Sequence, residues 1–187
     1  MRSVTYSMTV SLDGYIVGPD GAMDWSPPDE EIFTLATDEV RQVGVHLLGR
    51  RLYESMLYWE GVDQSPSLEF STREFAERWR ALPKVVFSTT LSAVQGNARL
   101  AAVSLKEEID RLRAESAAGD IAIGGATLAA EAADLGLIDE YRIRLCPVLV
   151  GGGLQYFAHH EALTNLNLVE SRTLGSGVVY LRYRVAR

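Results

Sequence analysis

The chain of 187 residues has a single cysteine, Cys146, so no intrachain disulfide can staple it and the fold must be held by its core, as expected in a reducing cytosol. Cys146 itself reads as a buried strand thiol with no sign of a lowered pKa. Long apolar runs are missing as well. Nothing approaches the roughly 18 consecutive apolar residues of a membrane span, and no basic segment followed by a long apolar one opens the chain. The expectation is a soluble, cytoplasmic protein that does not enter a membrane. Positive charge is short: 18 Lys and Arg stand against 25 Asp and Glu, a formal net charge of −7. This argues against sequence-independent binding to nucleic acid, which needs a basic face to neutralise phosphates. Histidine is scarce, and His159 and His160 are adjacent rather than three or four residues apart, so no shared metal site is expected. The Walker A loop and the G-x-G-x-x-G fingerprint are absent.

What is present is 47% apolar side chains, enough at this length for one continuous core and one domain, 1–187. Val4 to Leu12 alternates polar with apolar and is rich in β-formers, so it reads as a first strand ended by Asp13-Gly14. A helix starting near Pro27-Pro28 would present Ile32, Leu35, Ala36, Val40 and Val43 on one face and stop at Gly44. Val45 to Leu48 reads as a buried strand that turns at Gly49 into a short helix. Ser71-Thr72-Arg73-Glu74 has the capping-box form with Phe70 and Phe75 as a staple, and Pro83 closes the helix that follows. Strands are expected at Val85 to Ser88, at Leu100 to Val103, at Ile121 to Ile123 and at Ile138 to Leu145. Ser104 to Glu107 caps one further helix, and Ala126 to Leu135 forms another stopped by Gly136. Leu166 to Thr173 and Val178 to Val185 form a closing hairpin around Gly175-Ser176-Gly177. Strands alternating with helices imply parallel crossovers, so the fold class is α/β, a mixed, mainly parallel sheet of about eight strands flanked by helices.

Three stretches could hold an anion. In Ile123-Gly124-Gly125-Ala126-Thr127, glycines between a strand and a helix let backbone N–H groups approach a pyrophosphate, although a tight turn needing positive φ would use the same residues. Gly49-Arg50-Arg51 places two guanidinium groups at a helix start, as a phosphate clamp or as a solvated surface pair. Ser88-Thr89-Thr90 offers hydroxyls at a strand end. All three fall at predicted strand C-termini, where ligands of open α/β sheets gather.

These motifs, with Ser11-Leu12-Asp13-Gly14-Tyr15-Ile16, Lys84-Val85-Val86-Phe87-Ser88 and Pro147-Val148-Leu149-Val150-Gly151-Gly152-Gly153, occur in the order seen in dihydrofolate-reductase-like proteins. Over nearly its whole length the chain resembles the reductase domain of the bifunctional riboflavin-biosynthesis deaminase/reductase and its free-standing relatives. It lacks the H-x-E with P-C-x-x-C signature of the deaminase half. The resemblance implies a three-layer dihydrofolate-reductase-like fold, a homodimer and NADPH as cofactor. Gly49 and Arg50 would line the cofactor side with Arg51 among the cofactor contacts, Arg50 with Ser88 and Thr89 would lie near the adenosine 2′-phosphate, and Gly124, Gly125, Ala126 and Thr127 would hold the pyrophosphate. Leu52 departs from the threonine of true dihydrofolate reductases, so one hydroxyl contact to the phosphates is lost.

By the same resemblance Asp13 would orient the substrate, and Trp25 could close over the nicotinamide. Of the acids that follow Trp25, namely Asp29, Glu30 and Glu31, Glu30 is the candidate for assisting protonation, while helix capping explains all three. The implied substrate is a small heterocycle. The aminopyrimidine 5-amino-6-(5-phosphoribosylamino)uracil comes first, with a pterin or folate as the alternative, and a non-catalytic nucleotide-binding protein on the same fold is the rival. A substrate phosphate would need its own cations, for which Arg51, Arg73 and Lys84 are available.

Overall fold

A computed structural model describes residues 1–25, 30–62, 70–157 and 163–187. In chain order the elements are β1 (Val4–Ser11), β2 (Tyr15–Val17), α1 (Glu30–Gln42), β3 (Val43–Gly49), α2 (Arg50–Met56), α3 (Tyr58–Gly61), α4 (Phe70–Ala81), β4 (Lys84–Phe87) and β5 (Ala98–Leu100). There follow α5 (Leu105–Ala114), β6 (Asp120–Gly124), α6 (Ala126–Asp134), β7 (Glu140–Cys146), β8 (Leu154–Gln155), β9 (Leu166–Thr173) and β10 (Val179–Val185). Eight strands form one sheet in the order β5-β4-β3-β6-β1-β7-β10-β9, while β2 and β8 pair separately. Every pairing from β5 to β7 is parallel, and β10 runs against both neighbours. The expected mixed, mainly parallel sheet is therefore found.

Alternation along the strands sorts the core into two layers. Val4, Tyr6, Val45, Leu47, Ile121 and Ile123 face α5 and α6, packing with Leu105, Ile109, Leu112 and Ala129. Leu48 and Val86 point the other way, into a cluster with Tyr53, Phe75, Trp79 and Leu82 that Phe33 of α1 joins. Helices thus cover both faces of the central strands, giving the three-layer arrangement.

Several boundaries move. Val43 and Gly44 open β3 instead of ending α1. Gly44 is needed for close approach, since a Cβ there would lie 2.2 Å from the Ala118 carbonyl oxygen. β5 comes two residues earlier than expected, and α3, β2 and β8 carry no period long enough to read. The capping box at Ser104 and Glu107 is present. The other one is displaced: Phe70 is already helical, while the side chains of Phe70 and Ser71 lie outside what is described, as do Pro27-Pro28, Asp29 and His159-His160.

Candidate active site

Register brings three strand ends to one level. Leu48 pairs with Gly124 and Gly49 with Phe87, so α2, α6 and the Ser88 loop all start side by side at the C-terminal edge of the sheet. The sheet therefore assembles Gly49-Arg50-Arg51, Ser88-Thr89 and Gly124-Gly125-Ala126-Thr127 into one place. Gly124 makes this possible by size: a Cβ there would sit 2.4 Å from Leu52 Cδ2, 2.8 Å from His46 Cε1 and 3.1 Å from Leu48 Cδ2. Gly125 contributes by conformation, with φ +96° at the head of α6. A Cβ added to it would be 3.9 Å from the Gly49 nitrogen, which shows how close the two helix starts come.

Electrostatically the place is built for an anion. The head of α6 has no side-chain cap and no acid in its first turn, so its leading N–H groups have no intrahelical acceptor and carry the positive end of the dipole. Next to it α2 opens on two arginines, again with no acid in the first turn. Cations at a helix N-terminus oppose the dipole, and a bound phosphate would relieve both. Arg50 reaches Glu54 at 3.2 Å with both side chains exposed, a pair of little strength in water, and Arg51 is exposed. The Ser88 hydroxyl accepts the N–H groups of Thr90 and Leu91 at 3.1 and 3.0 Å, shaping its own turn. His46, edge-on to Trp79 at 5.3 Å, has its pKa pushed down to about 4 by burial, so it adds no charge beneath Gly124 at neutral pH.

β1 extends past this level. Tyr6 pairs with Ile123, which makes Ser7 level with Gly124, whereas β7 accompanies β1 as far as Ser11. Ser11 thus lies about 13 Å further along, and on the β6 side no described strand pairs with β1 beyond Tyr6. Asp13 follows at the corner and is not brought to the three strand ends that meet at Gly49, Ser88 and Gly124. Its carboxylate accepts the Ser11 hydroxyl at 2.6 Å, the Gly151 N–H at 2.7 Å and the Val150 N–H at 3.1 and 3.2 Å. The Ser11 bond and then the Gly151 bond hold its pKa down at about 2.

Across β1 from those strand ends lies an apolar wall. Trp25, Ile32 and Val148 pack on Cys146, Leu174 and Val178, so Trp25 is anchored there, and its Nε1–H is buried without a hydrogen-bond partner. Glu30 is exposed at the head of α1. Glu31 instead accepts the Gly175 N–H and ties α1 to the β9–β10 turn.

Sequence reasoning missed a buried polar group under α1. Glu39 accepts from Ser7 Oγ and from Arg144, each at 2.7 Å, while Arg144 also donates to Thr9 at 3.2 Å. The signal was visible as Thr5, Ser7, Thr9 and Ser11 alternating on one face of the first strand; which charges meet them was not. Lys84 is corrected as a candidate for a substrate phosphate. It is buried, its ammonium held by Glu60 at 3.0 Å and by the Leu82 carbonyl at 3.1 Å.

Comparison with known proteins agrees with the fold. The chain is 30% identical over 182 residues to the uncharacterized protein YyaP of Bacillus subtilis (strain 168), covering 97% of this chain and 94% of that one. A structure from Shewanella sp. PV-4, named for riboflavin biosynthesis, superposes with a TM-score of 0.79 at 24% identity over the full length of both chains. Dihydrofolate reductase from Enterococcus faecalis, complexed with NADP(H), superposes with a TM-score of 0.64 at 14% identity, covering 99% of this chain and 97% of its own. These two likenesses fix the fold as dihydrofolate-reductase-like. The family model of the RibD C-terminal domain matches residues 2–180, and the chain belongs to that family.

Proposed function

We propose that this chain is an NADPH-dependent oxidoreductase that acts on a small heterocycle. The observation that carries the reading is the pairing of two uncapped helix starts, α2 with Arg50 and Arg51 and α6 behind Gly125, at one level of the sheet. Gly124, Gly125, Ala126 and Thr127 would hold the pyrophosphate through backbone N–H groups. Arg50 and Arg51, beside Ser88 and Thr89, would take the 2′-phosphate, which favours NADPH over NADH. Leu52 offers no hydroxyl there and fills the space above Gly124. Among the described residues no strand pairs with β1 beyond Tyr6 on the β6 side, which leaves that edge to meet the nicotinamide end.

Bound NADPH would supply the hydride, and the chain contributes binding, orientation and exclusion of water. Asp13, ionised at neutral pH, is not a proton donor. Glu30, exposed at the head of α1, is the acid we propose for assisting protonation. Trp25 and the apolar wall would close the substrate side. Among substrates, 5-amino-6-(5-phosphoribosylamino)uracil comes first and a dihydropterin or dihydrofolate second. The setting is cytoplasmic, in keeping with the single free thiol and with the lack, among the described residues, of any helix long and apolar enough to cross a membrane. A homodimer would use the sheet edge at β9, where Leu166, Leu168 and Val169 are exposed.

The test is a fluorescence titration of wild type and Arg50→Ala with NADPH and NADH, followed by assays of NADPH oxidation with each heterocycle. NADPH should bind at least tenfold tighter than NADH, and the substitution should erase most of that preference. No binding of either nucleotide would sink the reading. Binding without turnover of any heterocycle would leave a nucleotide-binding protein on the same fold.

A further inference from the structure

The connection from β7 to β8, residues 147–153, is held to the β1–β2 corner by little regular structure. β2 and β8 share two register pairs, Tyr15 with Gln155 and Val17 with Leu154, and so short a ribbon is not stable alone. Two backbone bonds help, from Leu12 N–H to the Val148 carbonyl and from Tyr156 N–H to the Gly14 carbonyl, each at 2.9 Å. Among the described residues Val150 packs beside Gly18 and Gly152 beside Pro19, and one side chain supplies the remaining hydrogen bonds. The Asp13 carboxylate takes donors on both oxygens, from Ser11 and Val150 on Oδ1 and from Val150 and Gly151 on Oδ2. Three donors, with the Val150 N–H shared between the two oxygens, take up most of the roughly four acceptor sites of a carboxylate, which leaves little capacity for a substrate.

The fastened loop has few other conformations open to it at its far end. Gly153 has φ +116°, and a Cβ there would lie 2.0 Å from the Val17 carbonyl oxygen. At its near end Val148 is part of the apolar wall with Trp25 and Ile32. Trp25 makes no hydrogen bond through its buried indole nitrogen among the described residues, so its ring is held there by packing on Cys146, Leu174 and Val178.

We infer that Asp13 is a positioning residue: it latches the 147–153 loop onto the β1–β2 corner and, through Val148, sets the Trp25–Ile32 wall of the cleft without touching substrate. Calling that wall the substrate side rests on the reading above; the latch itself does not.

Fluorine NMR of protein labelled with 5-fluorotryptophan tests it, with the Trp25 signal assigned by Trp25→Phe and with amide exchange and NADPH titration run in parallel. In Asp13→Asn the Trp25 signal should shift while those of Trp59 and Trp79 stay in place. The Val150 and Gly151 amides should exchange at least tenfold faster, and the dissociation constant for NADPH should remain within twofold. Ser11→Ala, which removes one donor to the same carboxylate, should move the same signals less. An unchanged Trp25 signal with unchanged amides overturns the inference. So does a tenfold loss of NADPH affinity, which would mean that Asp13 contacts the cofactor directly. Movement of all three tryptophan signals with faster exchange throughout β1 and β7 would show general loosening and would also overturn it. If the wild type binds no NADPH, the reductase reading fails, while the ligand-free signals still decide the latch.

Discussion

Replacing Gly124 by alanine should push apart the two helix starts that make the anion cradle. The added methyl would sit 2.4 Å from Leu52 on α2, 2.8 Å from His46 and 3.1 Å from Leu48 on β3. Any one side-chain tip could give way, but three on one side cannot retreat together in a close-packed layer. Overpacking of this kind costs about 1–3 kcal/mol, which for a chain of this size lowers Tm by roughly 2–12 °C. Because the shortest contact is with Leu52, the strain should fall mainly on α2, and NADPH should bind more weakly as Arg50 and Arg51 move from Gly125. A double-mutant cycle with Leu52→Ala makes this specific. In that background Gly124→Ala should cost less than half as much, a coupling of about 1 kcal/mol or more between touching residues, with part of the NADPH affinity recovered. Urea unfolding and fluorescence titration read both quantities. The packing argument is refuted if the cost of Gly124→Ala is the same with and without Leu52.

Asp13 gives a pH dependence. Its folded pKa of about 2 lies below the ordinary value of about 3.9, so its bonds stabilise fully above pH ~4 and are lost as pH falls toward 2. Wild type should exceed Asp13→Asn in stability at neutral pH, with the gap closing between pH ~4 and ~2 in urea melts; a gap independent of pH would contradict the assignment. Arg51→Glu should raise ligand-free stability by about 0.3–1 kcal/mol at low salt, since an acid suits a helix start, while NADPH affinity falls at least tenfold. Urea melts and titration would show the opposed signs, and a loss of both would mean that Arg51 serves the fold. Leu168→Lys places a charge on the exposed β9 edge and should give a monomer by light scattering with unchanged circular dichroism; an unaltered dimer would put the interface elsewhere.

Much of the cradle was legible because its signals are local. Gly-Gly between a strand and a helix, and Arg-Arg after a strand-ending glycine, each state a backbone event within a few residues. The role of Asp13 was not legible, because its partners Val150 and Gly151 lie 137 and 138 positions away and nothing in Asp-Gly distinguishes a turn residue from a latch. Lys84 misled for the same reason: a lysine at the start of a strand reads as exposed until Glu60 and Trp79 are brought around it. Gly44 looked like a helix stop, whereas the requirement it meets is the approach of Ala118 from the α5–β6 connection.

By itself the sequence determined the class of this protein. Period-two and period-3.6 patterns, glycine stops and the capping box at Ser104 fix the order of the longer elements, though not β2, α3 and β8, and that order all but requires a parallel α/β sheet, because short-range propensity and crossover handedness leave few alternatives. Only the tertiary structure decided which ends lie level, since register is a property of strand pairs and not of strands. That register sets Arg50, Ser88 and Gly125 together at one edge and carries the end of β1 at Ser11 about 13 Å beyond them, where Asp13 accepts from Val150 and Gly151.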